Sequence, residues 1–154
     1  MKELIGNFWD HVDDFAAICC TTNQMTNTNS GLVMGAGIAK DFAMRYKWLP
    51  AEWGRRIKCG DHHDGLMITG ILNKEKLSVK YLIAFPTKYD WRNKSDLELI
   101  EKTSWTLTQV ATIMGWKKIL LPRPGCSNGG LKWDLVKSRI GFLDDRFWVI
   151  TNGP

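Results

Sequence analysis

Residues 15–22 read F-A-A-I-C-C-T-T, an unbroken apolar run that closes on small polar residues. A strand wetted on one face alternates polar and apolar side chains, and this run does not. It has to be buried on both faces, within a parallel or mixed sheet that helices cover on each side. Residues 66–72 and 79–85 read as two more strands, with Lys74, Glu75 and Lys76 in the turn between them. Residues 118–121 and 147–151 are shorter apolar runs of the same buried kind.

Helical spacing alternates with these runs. Ile38, Ala39, Phe42, Ala43 and Tyr46 fall on one helical face just after Gly35 and Gly37. Leu97, Ile100, Ser104, Leu107, Ala111 and Met114 stand at intervals of 3, 4, 3, 4 and 3, one face of a long helix. Ser95 with Glu98 predicts its start as a capping box, and Gly115 its stop. Pro50 predicts the first turn of a helix over residues 50–58. Trp133, Val136 and Ile140 predict another after Gly129 and Gly130. Strands alternating with helices give an α/β class, a three-layer α/β/α domain with a mixed central sheet. No repeat or linker interrupts the 154 residues, so residues 1–154 read as one domain.

The formal net charge is +5, with 21 Lys and Arg against 16 Asp and Glu. That surplus suits a nucleic acid, a membrane surface or a small anionic ligand, and equally a solvated surface of mild bias. The densest basic groups, Arg55, Arg56 and Lys58, and Lys117 with Lys118, are too short for a basic arm. Cys19, Cys20, Cys59 and Cys126 form no C-x-x-C, and His11, His62 and His63 do not join them, so neither a metal nor a cofactor is expected. Cys19 and Cys20 read as buried core thiols. The N-terminus lacks the apolar core of a signal peptide, and no stretch approaches the roughly 20 apolar residues of a membrane span. The expectation is a cytoplasmic chain with reduced thiols, no membrane partner and no obligate protein partner.

Three segments each follow a predicted strand and precede a predicted helix, the place where open α/β sheets collect ligands. In residues 22–40, Gly35, Ala36 and Gly37 enter the helix at Ile38. Small residues there let backbone N–H groups meet a phosphate, or simply make a tight turn. The pattern is neither G-x-G-x-x-G nor a Walker loop, which argues against dinucleotide enzymes and P-loop NTPases. Asn23, Asn27 and Asn29 offer amides to sugar hydroxyls, or serve turns through their own backbone. In residues 121–131, two prolines bracket Arg123 before Gly125, Gly129 and Gly130, either a second anion nest or a plain structured connection. In residues 85–96, Lys88 follows a strand end near Arg92 and Lys94. It reads as a phosphate ligand, as a nucleophile if its pKa is lowered, or as a solvated loop lysine. Trp91 lies in the same segment.

Together these segments resemble the macro domain family, the ADP-ribose-binding fold. The resemblance runs from Gly6 to about Asp145, through G-N-F-W, I-C-C-T-T-N, V-M-G-A-G-I-A-K and P-G-C-S-N-G-G-L-K-W. Y-L-I-A-F-P-T-K-x-x-W-R-x-K-S is similar to the branch holding the DNA ADP-ribosyl glycohydrolase antitoxins and the terminal ADP-ribose protein glycohydrolase.

In that branch the lysine of P-T-K is catalytic. The resemblance therefore implies that Lys88 meets the anomeric carbon of the distal ribose as a neutral amine, with Arg92 and Lys94 lowering its pKa. Asn23 matches the asparagine near that ribose and joins Lys88 as a catalytic candidate. Asn7, where many members carry an adenine-binding aspartate, is implied at the base together with Phe8; an asparagine still accepts through its carbonyl. Met34, Gly35, Ala36, Gly37 and Ile38 match the first diphosphate loop. Gly125, Cys126, Ser127, Asn128, Gly129 and Gly130 match the second, and Thr87 precedes the lysine. Gly129 stands where the terminal ADP-ribose glycohydrolase has a catalytic aspartate, a departure shared with the DNA-directed relatives.

The implied activity is hydrolytic removal of ADP-ribose from a modified nucleic acid or protein. An ADP-ribose 1''-phosphate phosphatase, or another hydrolase of a free ADP-ribose derivative, is the second reading. A non-catalytic module that reads or sequesters ADP-ribose is the third. The implied partner in all three is ADP-ribose or an ADP-ribosylated molecule.

Overall fold

The computed structural model describes residues 1–153. In chain order the strands are β1 (Lys2–Ile5), β2 (Ala17–Thr22), β3 (Met67–Asn73), β4 (Ser78–Pro86), β5 (Ile119–Pro122) and β6 (Phe147–Thr151). The helices are α1 (Phe8–His11), α2 (Gly37–Arg45), α3 (Leu49–Cys59), α4 (Leu97–Met114) and α5 (Trp133–Ile140). The strands make one six-stranded sheet in the order β1-β6-β5-β2-β4-β3. Every neighbouring pair is parallel except β3 and β4, which form an antiparallel hairpin at one edge. The fold is α/β with a mixed sheet, as the apolar run of residues 15–22 requires.

Side chains of a strand alternate between its faces. Ala17 and Cys19 of β2 join Phe85, Leu107 and Ile140 in a core under α4 and α5. Ile18 and Cys20 turn the other way, into a core with Phe8, Phe42, Leu49 and Trp53 under α1, α2 and α3. Trp53 is fully buried, and its indole N–H is paired with Thr69 Oγ1 at 3.1 Å. Burial pushes the Cys19 and Cys20 thiols well up, so both stay protonated and act as packing atoms. Among the described residues no helix is long and apolar enough to cross a membrane.

Two features differ from the sequence reading. Periodicity gave no sign of β1 or α1, because β1 is a short edge strand of mixed polarity and α1 is a single turn. The start of α4 also shifts by one residue. Asp96, not Ser95, is the N-cap, its carboxylate accepting from Leu99 N at 3.1 Å. The capping box does not form: the Ser95 N–H that Glu98 would accept from is bonded to Gly129 O at 3.0 Å, and the Ser95 side chain is buried outside the helix start. Gly115 ends the helix as expected, with φ +70. Asp96→Ala is expected to lower stability by about 1 kcal/mol. A shift of the urea midpoint at constant slope measures it.

Candidate active site

Because five of the strands run parallel, their carboxyl ends lie at one rim. There they surround a cleft of about 860 Å³, lined from Thr22 (β2), Thr87 and Lys88 (after β4), Pro122 (β5), Thr151 (β6) and Asn7 (after β1). That volume is in the range of small-molecule sites. The first glycine loop forms one wall. Ala36 is extended (φ −147), Gly37 is left-handed (φ +57), and no side chain caps α2. The amides of its first turn therefore remain free at the positive end of the helix dipole. The second loop forms the facing wall, with left-handed turns at Gly125 and Gly130 and a closing bond from Leu131 N to Gly125 O at 2.9 Å. The two walls meet: a Cβ on Gly37 would lie 2.9 Å from the Asn128 amide nitrogen.

Lys88 is half-buried and lines the cleft. Its segment is strapped on both sides, by Thr87 N to Thr22 O at 2.9 Å and by Asp96 N to Thr87 O at 2.8 Å. Asn23 also lines the cleft, but both ends of its amide brace the following loop: Nδ2 donates to Val33 O at 3.0 Å and Oδ1 accepts from Met25 N at 2.9 Å. Asn7 lines it too and caps α1, its Oδ1 accepting from Trp9 N at 2.9 Å. Phe8 packs edge-on against Trp9, with ring centroids 5.1 Å apart. Cys126 faces the cleft as a thiol, since burial pushes it up to about 11 against the opposing pull of Arg123. Near neutral pH it is not a competing nucleophile.

Unpartnered polar atoms concentrate here. Trp9 Nε1, Thr22 Oγ1, Ser95 Oγ and Arg123 Nε are buried without hydrogen-bond partners, and all four residues line this cleft. Native folds leave few such atoms unpaired.

Most of the residues singled out in the sequence therefore converge. Asn7, Phe8, Asn23, Gly35, Ala36, Gly37, Ile38, Thr87, Lys88, Gly125, Cys126, Ser127, Asn128 and Gly129 share one cleft. Met34 does not line it; its side chain is buried in the core under α2 and α3. Gly130 lies outside the lining as well, under the stem of Lys94, which a Cβ would meet at 3.6 Å. Asn27 serves its own turn, Oδ1 accepting from Asn29 N at 3.0 Å and Gly31 N at 3.1 Å. Arg92 and Lys94, the two cations that follow Lys88, stand apart from the cleft lining. Arg92 is tied to Asp90 at 2.6 Å, holding that carboxyl down at about 2.

Sequence reasoning missed Trp9, Thr22, Asp41 and Ser95, and named Trp91 and Arg123 without placing them. The missed hydroxyls lay in quoted motifs, C-C-T-T and W-R-x-K-S, as unremarkable small polar residues. Gly129 is explained by its surroundings. A Cβ there would fall 2.1 Å from Ser95 Oγ and 2.6 Å from Gly125 O, so an aspartate has no room. Asp41 is the one carboxylate among the described residues that line the cleft.

Free amides on two facing glycine loops, at the carboxyl rim of a mixed sheet between helix layers, define an α/β/α domain with a pocket for an anionic ligand. The chain belongs to the macro domain family, whose model matches residues 26–140. It is 34% identical over 123 residues, 77% of the chain, to the DNA ADP-ribosyl glycohydrolase of Mycobacterium tuberculosis, and spans 34% of that relative's length. In structure it is similar to the macrodomain of Thermus aquaticus DarG, with a TM-score of 0.78 and 25% identity over 97% of this chain and 95% of that one. The macrodomain of Mycobacterium tuberculosis DarG matches with a TM-score of 0.74 and 28% identity, again over 97% and 95% of the two chains.

Proposed function

We propose that this chain is an ADP-ribosyl hydrolase that releases ADP-ribose from modified DNA, with Lys88 acting at the distal ribose. The observation that carries this reading is the position of Lys88. It leaves the end of β4 into a cleft whose facing loops offer backbone amides to a diphosphate. The name of the Mycobacterium tuberculosis relative supports DNA as the substrate. In this reading the neutral amine of Lys88 adds to the anomeric carbon. The glycosidic bond breaks, and its electron pair leaves with the base, which takes up a proton. Water then displaces the amine and frees ADP-ribose.

The leaving half of the substrate has to sit at the mouth of the cleft. Trp91 is there, 54% exposed and lining the same cleft as Lys88. A large aromatic left that open is a stacking surface for a base, worth roughly 1–3 kcal/mol. Trp91→Ala is expected to raise KM for an ADP-ribosylated oligonucleotide about tenfold or more, with affinity for free ADP-ribose unchanged. Steady-state kinetics and calorimetry on the same preparation measure the two.

The reading itself is tested by incubating the chain with an ADP-ribosylated single-stranded oligonucleotide, an ADP-ribosylated protein and ADP-ribose 1''-phosphate. Free ADP-ribose and unmodified oligonucleotide are expected. Phosphate release with the DNA adduct untouched would identify a phosphatase. Tight ADP-ribose binding with all three substrates intact would identify a binding module.

A further inference from the structure

The order of the strands sets the two ends of the cleft. Asn7 follows β1 and Lys88 follows β4, and β6, β5 and β2 stand between those two strands in the sheet. Four strand spacings separate the two residues, roughly 19 Å. With Lys88 at the distal ribose, the other end of the ligand, its base, lies toward Asn7, Phe8 and Trp9. Ile38, Asp41 and Arg45 form one stripe along α2, at spacings of three and four residues. Ile38 and Asp41 line the cleft, and Arg45 lies over the Trp9 ring, 4.0 Å from its centroid, so this stripe faces the Asn7 end. The free amides of the first turn of α2 stand at one end of the stripe, and Asp41 is about 6 Å further along the helix axis. Asp41 is exposed, and among the described residues its carboxylate pairs with no cation.

An open carboxylate in a cleft for an anion repels phosphate, so the part of the ligand that meets Asp41 has to be a donor. The ring nitrogens of adenine only accept, and its exocyclic amino group is the one N–H donor on the base. Asn7, at the same end, already spends its carbonyl on capping α1, where Oδ1 accepts from Trp9 N at 2.9 Å. We propose that Asp41 determines specificity for the base: a carboxylate oxygen accepts a hydrogen bond from the amino group of adenine. This rests on the reading of the ligand as ADP-ribose with Lys88 at its distal ribose. The same charge also orients the ligand, because a diphosphate displaced from the amides toward Asp41 meets repulsion.

The test compares ADP-ribose with its deamino analogue, in which hydrogen replaces the amino group of the purine. Calorimetry with both ligands is run on the native chain, Asp41→Ala and Asp41→Asn, alongside thermal unfolding of each. The native chain is expected to bind the analogue about tenfold or more weaker, the size of one hydrogen bond to a charged group. Asp41→Ala is expected to bind the two ligands within about twofold of each other. Asp41→Asn keeps an acceptor without the charge and is expected to retain a preference of about threefold. Unfolding temperature is expected not to fall in Asp41→Ala, because the carboxylate holds no cation within the protein. A native chain that does not distinguish the two ligands would overturn the proposal. So would an Asp41→Ala variant that keeps the full preference, or one that changes both affinities equally. The hydrolase reading fails separately, through a native chain that binds ADP-ribose without turnover, and the two-ligand comparison still reads out in that case. A native chain that binds no ADP-ribose removes both.

Discussion

Lys88→Ala is expected to lower the single-turnover rate of ADP-ribose release by roughly 10³-fold or more, while affinity for ADP-ribose stays within about twofold of the native chain. The two effects separate because different atoms carry them. In the proposed reading binding rests on backbone amides of the two glycine loops, which a side-chain truncation at the end of β4 leaves in place. The backbone straps around Lys88, Thr87 N to Thr22 O and Asp96 N to Thr87 O, also survive the substitution. In the proposed mechanism the chemistry rests on the Lys88 amine, and the cleft offers few alternatives to it. The Cys126 thiol is held protonated near neutral pH, and Asp41 is the one carboxylate lining the cleft among the described residues. Lys88→Arg is expected to fail equally, because a guanidinium keeps the charge but has no free electron pair to offer carbon. Rapid-quench kinetics on an ADP-ribosylated oligonucleotide, with calorimetry alongside, measures both halves. Full activity in Lys88→Ala would remove the lysine from the mechanism.

The layers of the fold were legible because burial writes itself into hydrophobic pattern. A strand covered on both faces has to be apolar throughout, as residues 17–20 are, and a long helix against a sheet has to repeat every three or four residues, as α4 does. Loop residues follow no such rule. Glycines marked where the walls of the cleft turn, yet Gly130 turns away from the cleft and Met34 drops into the core. Ser95 shows the limit most clearly. As a letter three places before Glu98 it fits a helix cap, while in space the adjacent Asp96 takes that role. The difference is set by Gly129, thirty-odd residues away in the chain, whose carbonyl claims the Ser95 amide. Small polar residues that line a cleft carry no periodicity at all, which is why Thr22 passed as the end of a strand. The pair of Arg92 with Asp90 is local in sequence, but only geometry shows that Arg92 is not among the residues lining the cleft.

Gly54→Ala is expected to destabilise the fold by about 2–3 kcal/mol, against the gain of roughly 1 kcal/mol that alanine brings to an ordinary helix interior. Gly54 lies within α3, and a helix gains by replacing glycine unless something occupies the new methyl's place. Here something does. A Cβ at position 54 would fall 2.1 Å from Ser30 O and 2.7 Å from both the carbonyl carbon and the Cα of Gly31. These are backbone atoms, and they cannot rotate aside. The segment they belong to is pinned: Leu32 N donates to Pro50 O at 2.8 Å, Lys58 reaches Ser30 Oγ at 2.7 Å, and Ser30 sits in the left-handed region at φ +67. Relief of the clash therefore has to move the whole turn over residues 27–32 off α3. That turn is continuous with the cleft, since Asn23 holds Val33 O at 3.0 Å and the first glycine loop follows at once. The substitution is thus expected to lower the unfolding temperature by about 4–12 °C and to weaken ADP-ribose binding as well, although residue 54 does not line the cleft. Thermal unfolding and calorimetry on one preparation measure both effects. A higher unfolding temperature, as helix propensity alone predicts, would mean that α3 and the loop are not in the close contact described.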